Sequence, residues 1–328
     1  MQPFDLVRAP SPSDAAQLTK DEETRLIAGG TNLLDLMKLQ VETPSRLADI
    51  SRLDCAEITD APDGGLRIGA LVTNTATAVH PRVRQDYPVL ARAILAGATQ
   101  QLRNKATTGG NLCQRTRCFY FTKIDQPCNK RDPGSGCGAI EGVAKLHAVL
   151  GTSDQCIATY PGDMAVAMSA LDAKVHIMKE DGTERSVPVR DFHLLPGDTP
   201  WRDNVLERGE IITAVTLPPP VGGAHYYRKV RERSSYAFAL VSVAAVIEIE
   251  SGVFSRADLA FGGLAHKPWF DPAIGAVLLG EAADDAVFEK AADVLLRSAR
   301  GFGENDFKIP LARRTLRAVL SQAVEDAA

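Results

Sequence analysis

Residues 25–38 read RLIAGGTNLLDLMK, and the order of side chains in that run sets the architecture of the first part of the chain. Arg25 to Ala28 has the short, apolar character of a strand, Gly29 and Gly30 break it, and Asn32 to Lys38 carries leucines at helical spacing. A further strand-like segment, Arg46 to Ile50, follows. Strand, glycine turn, helix and strand in so short a span make a small βαβ unit.

Outward from this unit the pattern changes twice. A second zone opens at the DAPDGG turn, Asp60 to Gly65, and continues through a strand at Leu66 to Ala70 and an apolar helix at Val89 to Ala98. It resumes after a cysteine-rich loop with a helix at Asp163 to Leu171 and strands at Lys174 to Met178 and Ile211 to Leu217, and closes at the PPPVGG linker, Pro218 to Gly223. The third zone carries strands at Tyr226 to Arg231, Ala239 to Glu250 and Ala257 to Gly262, then helices at Asp284 to Arg300 and Leu311 to Val324. The expected class is α+β: the βαβ unit and a mixed antiparallel sheet with helices, followed by an antiparallel sheet with a helix bundle. The expected boundaries are 1–59, 60–220 with an insertion at 113–156, and 221–328.

The chain has 328 residues, 45% hydrophobic and 24% charged, which suits two or three globular domains. A formal net charge of −4 leaves no footprint for nucleic acid, and no apolar run reaches the roughly eighteen residues that would span a bilayer. The opening MQPFDLVRAP has no secretory or twin-arginine pattern. The expected location is therefore cytoplasmic, or periplasmic by export alongside a signal-bearing partner.

Four of the six cysteines, Cys118, Cys128, Cys137 and Cys156, fall in one loop-rich stretch, RCFYFTKIDQPCNKRDPGSGCGAIEGVAKLHAVLGTSDQC. Thiolates are soft ligands, and four is the usual number for a [4Fe-4S] cluster. A four-cysteine zinc site is the second reading, weakened by the absence of close cysteine pairs. Two disulfides are the third, and they need an oxidising compartment.

Two glycine motifs stand out, AGGTNLLDL at Ala28 to Leu36 and TTGGNL at Thr107 to Leu112. Glycine allows close backbone approach, and unpaired N–H groups attract phosphate, although each motif also reads as a plain turn. Neither is a dinucleotide fingerprint or a P-loop. His147 and His266 lack a partner at metal or nucleophile spacing, and no hydrolase or metalloprotease motif occurs, so no catalytic residue is assigned. Arg115, Arg117, Lys130 and Arg131 interleave with the cysteines, either to raise a cluster's potential or to solvate a loop.

Taken in order, AGGTNLLDLMK, TTGGNLCQRTRC, NKRDPGSGC and ATYPGDMAVAM resemble the FAD-binding subunits of the molybdenum hydroxylases, the xanthine dehydrogenase family, in its aldehyde oxidoreductase branch. The resemblance covers nearly the whole chain. It implies FAD with its pyrophosphate on Ala28, Gly29, Gly30, Thr31, Asn32 and Leu33 and on Thr108, Gly109, Gly110 and Asn111. It places Asp163 on the flavin side, although Asp163 is also a good helix start, and brings Lys229 or Lys267 toward the ring. It further implies a [4Fe-4S] cluster on Cys118, Cys128, Cys137 and Cys156, with Cys113 a free thiol in the flavin loop and Cys55 in the core. The implied partners are a large subunit with a molybdenum cofactor, a small subunit with [2Fe-2S] clusters and an external electron acceptor. The implied role is electron transfer during oxidation of an aldehyde to a carboxylic acid on the partner. Two alternatives are the flavin subunit of a 4-hydroxybenzoyl-CoA reductase-like enzyme and a cofactor-free assembly scaffold.

Overall fold

The computed structural model describes residues 1–328. The RLIAGG segment forms β2 (Thr24–Ile27), which pairs in parallel with β3 (Arg46–Asp49) across the helix Leu33–Lys38. A third strand, β1 (Asp5–Arg8), joins the other side of β3, also in parallel, giving the order β1-β3-β2. The sequence pattern does not announce β1, because its residues lie largely in solvent and Leu6 is exposed, so it lacks the alternation that marks a half-buried strand.

The second sheet has five strands, β4 (Ile58–Asp60), β5 (Leu66–Gly69), β6 (Lys174–Lys179), β7 (Glu184–Pro188) and β8 (Glu210–Leu217), in the order β4-β5-β8-β6-β7 and antiparallel throughout. β8 lies at its centre and is buried along nearly its whole length, which explains its continuous apolar reading. The third sheet contains β9 (Ala224–Val230), β10 (Val241–Glu250) and β11 (Val253–Gly262), ordered β11-β10-β9. β11 starts four residues earlier than its apolar pattern indicates. Ser251 and Gly252 take positive φ of 52° and 78°, a tight hairpin turn that lets pairing begin at once.

Helices Asp285–Leu296 and Lys308–Ala327 pack against each other, and the longer one lies on β10. Helix Asp163–Ala170 is buried at every residue. It packs against helix Pro88–Ala96 on one side and β10 and β11 on the other. An all-round apolar sequence is what a helix between two layers requires, and it plants the acidic N-terminal residue Asp163 at the junction of the second and third sheets.

Between helix Phe119–Thr122 and helix Asp163–Ala170 no regular element forms. Irregular loops of this length are uncommon and usually functional. Here the backbone is held by side chains. Asn129 accepts from the N–H groups of Gly134 (3.1 Å) and Gly136 (2.8 Å) and donates to the carbonyl of Gln155 (3.1 Å). Arg131 donates to the carbonyls of Tyr120 and Phe121 at 2.7 and 2.8 Å.

Candidate functional site

The three layers enclose a cleft of about 540 Å³. Its walls include Thr31 and Asp35 from the first glycine loop, Asn74 and Ala106 beside the second, Asp163 and Lys229 at the junction of the sheets, and Cys118 and His147 from the cysteine loop.

The two glycine motifs do different things. The backbone N–H groups of Gly29, Gly30, Thr31, Asn32 and Leu33 have no acceptor within the protein. Gly30 takes a φ of 71°, and an added Cβ on Gly29 would lie 1.9 Å from the carbonyl oxygen of Lys105, so the loop presses on the segment leading into the second motif. A run of unpaired amides in such a turn is a concave donor set suited to an anion. Asn32 turns its side chain inward, accepting from the Arg115 N–H at 2.9 Å.

The second motif spends its donors internally, contrary to the expected twin amide cradle. Thr108 N–H donates to Val72 O (2.9 Å), Gly109 to Ala70 O (2.8 Å) and Asn111 to Thr107 O (2.8 Å), while Gly110 N–H donates to Thr107 Oγ1 (3.3 Å). Gly110 remains exposed and the Asn111 amide nitrogen unspent, just outside the residues that line the cleft. Its far end is clamped. Tyr160 Oη donates to Asn111 O at 3.0 Å, His193 Nε2 lies 2.8 Å from Leu112 O, and the two rings pack tilted by 49° with centroids 4.2 Å apart. A Cβ on Gly162 would strike the Tyr160 ring at 2.5 Å, which gives the TYPGD sequence its physical sense.

Asp163 is not a helix cap. It accepts from Tyr227 Oη at 2.5 Å on one oxygen and from Lys229 Nζ at 2.8 Å on the other, and Lys229 also donates to Ala96 O at 3.1 Å. The Asp163 and Lys229 side chains are 9% and 4% exposed, so this is a desolvated ion pair at the cleft wall. Burial, with the Asp163 charge beside it, pushes the Tyr227 hydroxyl well above its ordinary value, so it stays a donor. Lys267 is not part of this site. Its ammonium donates to Arg190 O at 2.7 Å and it does not line the cleft, which corrects the expectation that it approaches the ring.

Among the cleft's charged side chains, Lys229 and Glu232 are paired, to Asp163 and Lys145 respectively. Arg103, Arg117 and Arg233 have no carboxylate partner. Burial lowers the Arg117 guanidinium below its usual value, and its planar group lies 5.3 Å from the Phe238 ring centroid. The buried Asn74 Oδ1 at the cleft wall has no donor. Unpaired cations, free amides and an orphaned acceptor in one cavity fit a large anionic cofactor with ring N–H groups, and FAD meets that description.

The four cysteines of the insertion converge although 38 residues separate the first from the last. Cys128 and Cys137 face each other across an isolated antiparallel bridge. Cys137 and Cys156 are near enough to perturb each other, and the neighbouring sulfur draws the Cys137 thiol down to about 6 and pushes that of Cys156 up. Burial, reinforced by Cys128 and Cys137 nearby, raises the Cys118 thiol to about 11. No three His, Cys, Asp or Glu side chains are set to hold a single metal ion. Cys113 stands apart, packed on the main core, with burial raising its thiol to about 12. Cys55 packs on a smaller core near Leu53 and Leu71.

None of the basic residues interleaved with the cysteines hydrogen-bonds a thiol, although the Lys130 charge acts on Cys156. Lys130, 1% exposed, pairs with Asp203 at 2.6 Å, and Arg115 joins Asp203 (2.8 Å) to Glu42 (2.6 Å). Burial pushes the Asp203 carboxyl up, but the charges of Lys130 and Arg115 outweigh it and hold that carboxyl below its ordinary range. This network ties the insertion to both flanking domains. His147, which has no partner at metal or nucleophile spacing along the chain, brings its Nε2 to 3.1 Å from Cys118 Sγ.

The family model described as the FAD binding domain in molybdopterin dehydrogenase matches residues 2–220, and that of the CO dehydrogenase flavoprotein C-terminal domain matches 225–323. The chain is 55% identical over 326 residues to the aldehyde oxidoreductase FAD-binding subunit PaoB of Escherichia coli (strain K12), covering 98% of this chain and 99% of that protein. It is 28% identical to the carbon monoxide dehydrogenase medium chain of Afipia carboxidovorans, covering 99% and 96%. Among solved structures, quinoline 2-oxidoreductase from Pseudomonas putida 86 superposes with a TM-score of 0.75 at 24% identity, covering 99% and 98% of the two chains. Carbon monoxide dehydrogenase from Hydrogenophaga pseudoflava superposes with a TM-score of 0.76 at 22% identity, over 99% and 98%.

Proposed function

The chain belongs to the FAD-binding subunits of the molybdenum hydroxylases, and from that premise we propose that it is the electron-transfer subunit of an aldehyde oxidoreductase complex. A large subunit with a molybdenum cofactor oxidises an aldehyde to a carboxylic acid, and a small subunit with [2Fe-2S] clusters delivers the electrons. FAD, when bound, supplies the exchange between one-electron and two-electron chemistry toward an external acceptor.

The observation that carries this reading is the meeting, at one cleft, of a loop of five unpaired backbone amides that reaches its wall at Thr31, Arg117 with no carboxylate partner, and the Asp163–Lys229 pair. Gly29 to Leu33 would take the pyrophosphate. Lys229, fixed by Asp163 and Ala96 O, would face the flavin and favour the electron-rich reduced form, while the desolvated pair and the packed Tyr160 keep water from that wall. The side chain of Asp163 would accept from ribityl or ring donors only in competition with Tyr227 and Lys229.

Cys118, Cys128, Cys137 and Cys156 would hold a [4Fe-4S] cluster. The convergence of their thiols supports this, as does the 55% identity to an aldehyde oxidoreductase subunit. The deciding experiment is FAD, iron and acid-labile sulfide on anaerobically purified protein. About four iron and four sulfide per FAD is expected. Flavin without iron refutes the cysteine assignment, and neither cofactor refutes the whole proposal.

A further inference from the structure

We propose that His147 is the outer hydrogen-bond donor to the cysteine cage and the wall that the cage shares with the flavin cleft, held in place by Asn305 and Lys308 of the C-terminal domain. The inference rests on the cluster reading above and goes beyond it, naming a positioning residue that acts through Cys118.

His147 is 2% exposed, lines the cleft with Cys118, and brings Nε2 to 3.1 Å from the Cys118 sulfur. Its Nδ1 has no partner. A neutral imidazole carries one N–H, and a buried ring places it where an acceptor stands. The bonding pattern therefore puts the proton on Nε2, pointing at the sulfur. A thiolate ligated to iron is a strong acceptor for such a donor.

The seat of His147 is unusually determined for a residue in an irregular loop. Lys308, fully buried at the start of the long C-terminal helix, donates to Leu146 O (3.1 Å), His147 O (2.9 Å) and Gly263 O (2.8 Å). Asn305, also fully buried, donates to Ala148 O at 3.0 Å and His147 O at 3.4 Å. Four contacts from the third domain thus fix a three-residue segment of the insertion and with it the ring, and the fifth ties Lys308 back to Gly263 of its own domain. A lysine buried without a carboxylate, spent entirely on loop carbonyls, indicates that this segment's position matters. His266 stands beside His147 with both ring nitrogens unpartnered, so no second acceptor competes for the His147 proton.

A hydrogen bond to a cluster's ligand sulfur stabilises the reduced, more negative state and raises its reduction potential. The test is a potentiometric titration of the purified complex, followed by the low-temperature EPR signal of the reduced cluster, for wild type, H147L, H147Q and K308M. H147L is expected to shift the one-electron reduction equilibrium toward the oxidised cluster on the order of tenfold, about 59 mV, with FAD content unchanged. H147Q, which keeps an N–H, is expected to restore most of the shift, and K308M to show a smaller shift of the same sign. An iron-loaded H147L with the wild-type midpoint overturns the inference. If H147L fails to hold iron, a wild-type midpoint in K308M overturns it instead. Absence of iron from the wild-type complex strikes the cluster reading and not this contact.

Discussion

Replacing Gly29 by alanine tests the amide loop directly. The Gly29 backbone lies in a region open to any residue, so the substitution acts through sterics alone. The new methyl carbon would lie 1.9 Å from Lys105 O and 2.7 Å from its carbonyl carbon, both backbone atoms that cannot rotate away. Cβ contacts below 3.0 Å are essentially never seen, so the first loop and the segment entering the second motif must separate by at least about 1.1 Å. Overpacking of this kind costs about 1–3 kcal/mol. Because the five free amides sit on the displaced loop, we expect most of that cost to appear as weaker FAD binding, roughly 5- to 150-fold. The assays are the flavin absorbance retained after desalting, calorimetric titration of the flavin-depleted protein with FAD, and thermal unfolding with and without FAD. A G29A protein that keeps wild-type FAD affinity would refute the assignment of the pyrophosphate to Gly29–Leu33.

Three further outcomes follow from the same geometry. D163N strands Lys229 as a buried cation and is expected to cost about 3–5 kcal/mol in denaturant unfolding, whereas D163N/K229M, which removes both charges, should be milder; equal losses would remove the ion pair from the argument. Asp203 has a folded-state value below its unfolded one, so its contribution to holding the insertion is present at neutral pH and lost as pH falls through the acid range below about 4; limited proteolysis between residues 123 and 156 should accelerate there, and acceleration already near pH 6 would contradict it. C128S and C156S should lose iron and sulfide while keeping FAD, and C113S and C55S should keep both; retention of a full cluster by C156S would show that the fourth ligand lies elsewhere.

The order of elements is legible from residue type wherever burial leaves a periodic trace. β8 and the helix at 163–170 read clearly because they are buried on all sides, and the RLIAGGTNLLDLMK segment because a glycine pair sits between two apolar runs. The set of thiols is legible in the same way, since four cysteines in one irregular loop signal ligand chemistry whatever the fold. The pattern is silent on β1, whose exposed residues carry no alternation, and on the short helices around the second glycine motif, which local hydrogen bonds and not apolar faces create. Tertiary structure alone decided which donors remain free. The two glycine motifs look equivalent as strings, yet the carbonyls of Val72 and Ala70, brought in from another strand end, consume the amides of one and leave those of the other. Tertiary structure also decided that Lys229 faces the cleft while Lys267 turns to the Arg190 carbonyl, and that His147, 29 residues from Cys118 along the chain, touches its sulfur. Such facts depend on long-range approach between segments. Residue type supplies the capacity to bond, but only packing determines which partner arrives.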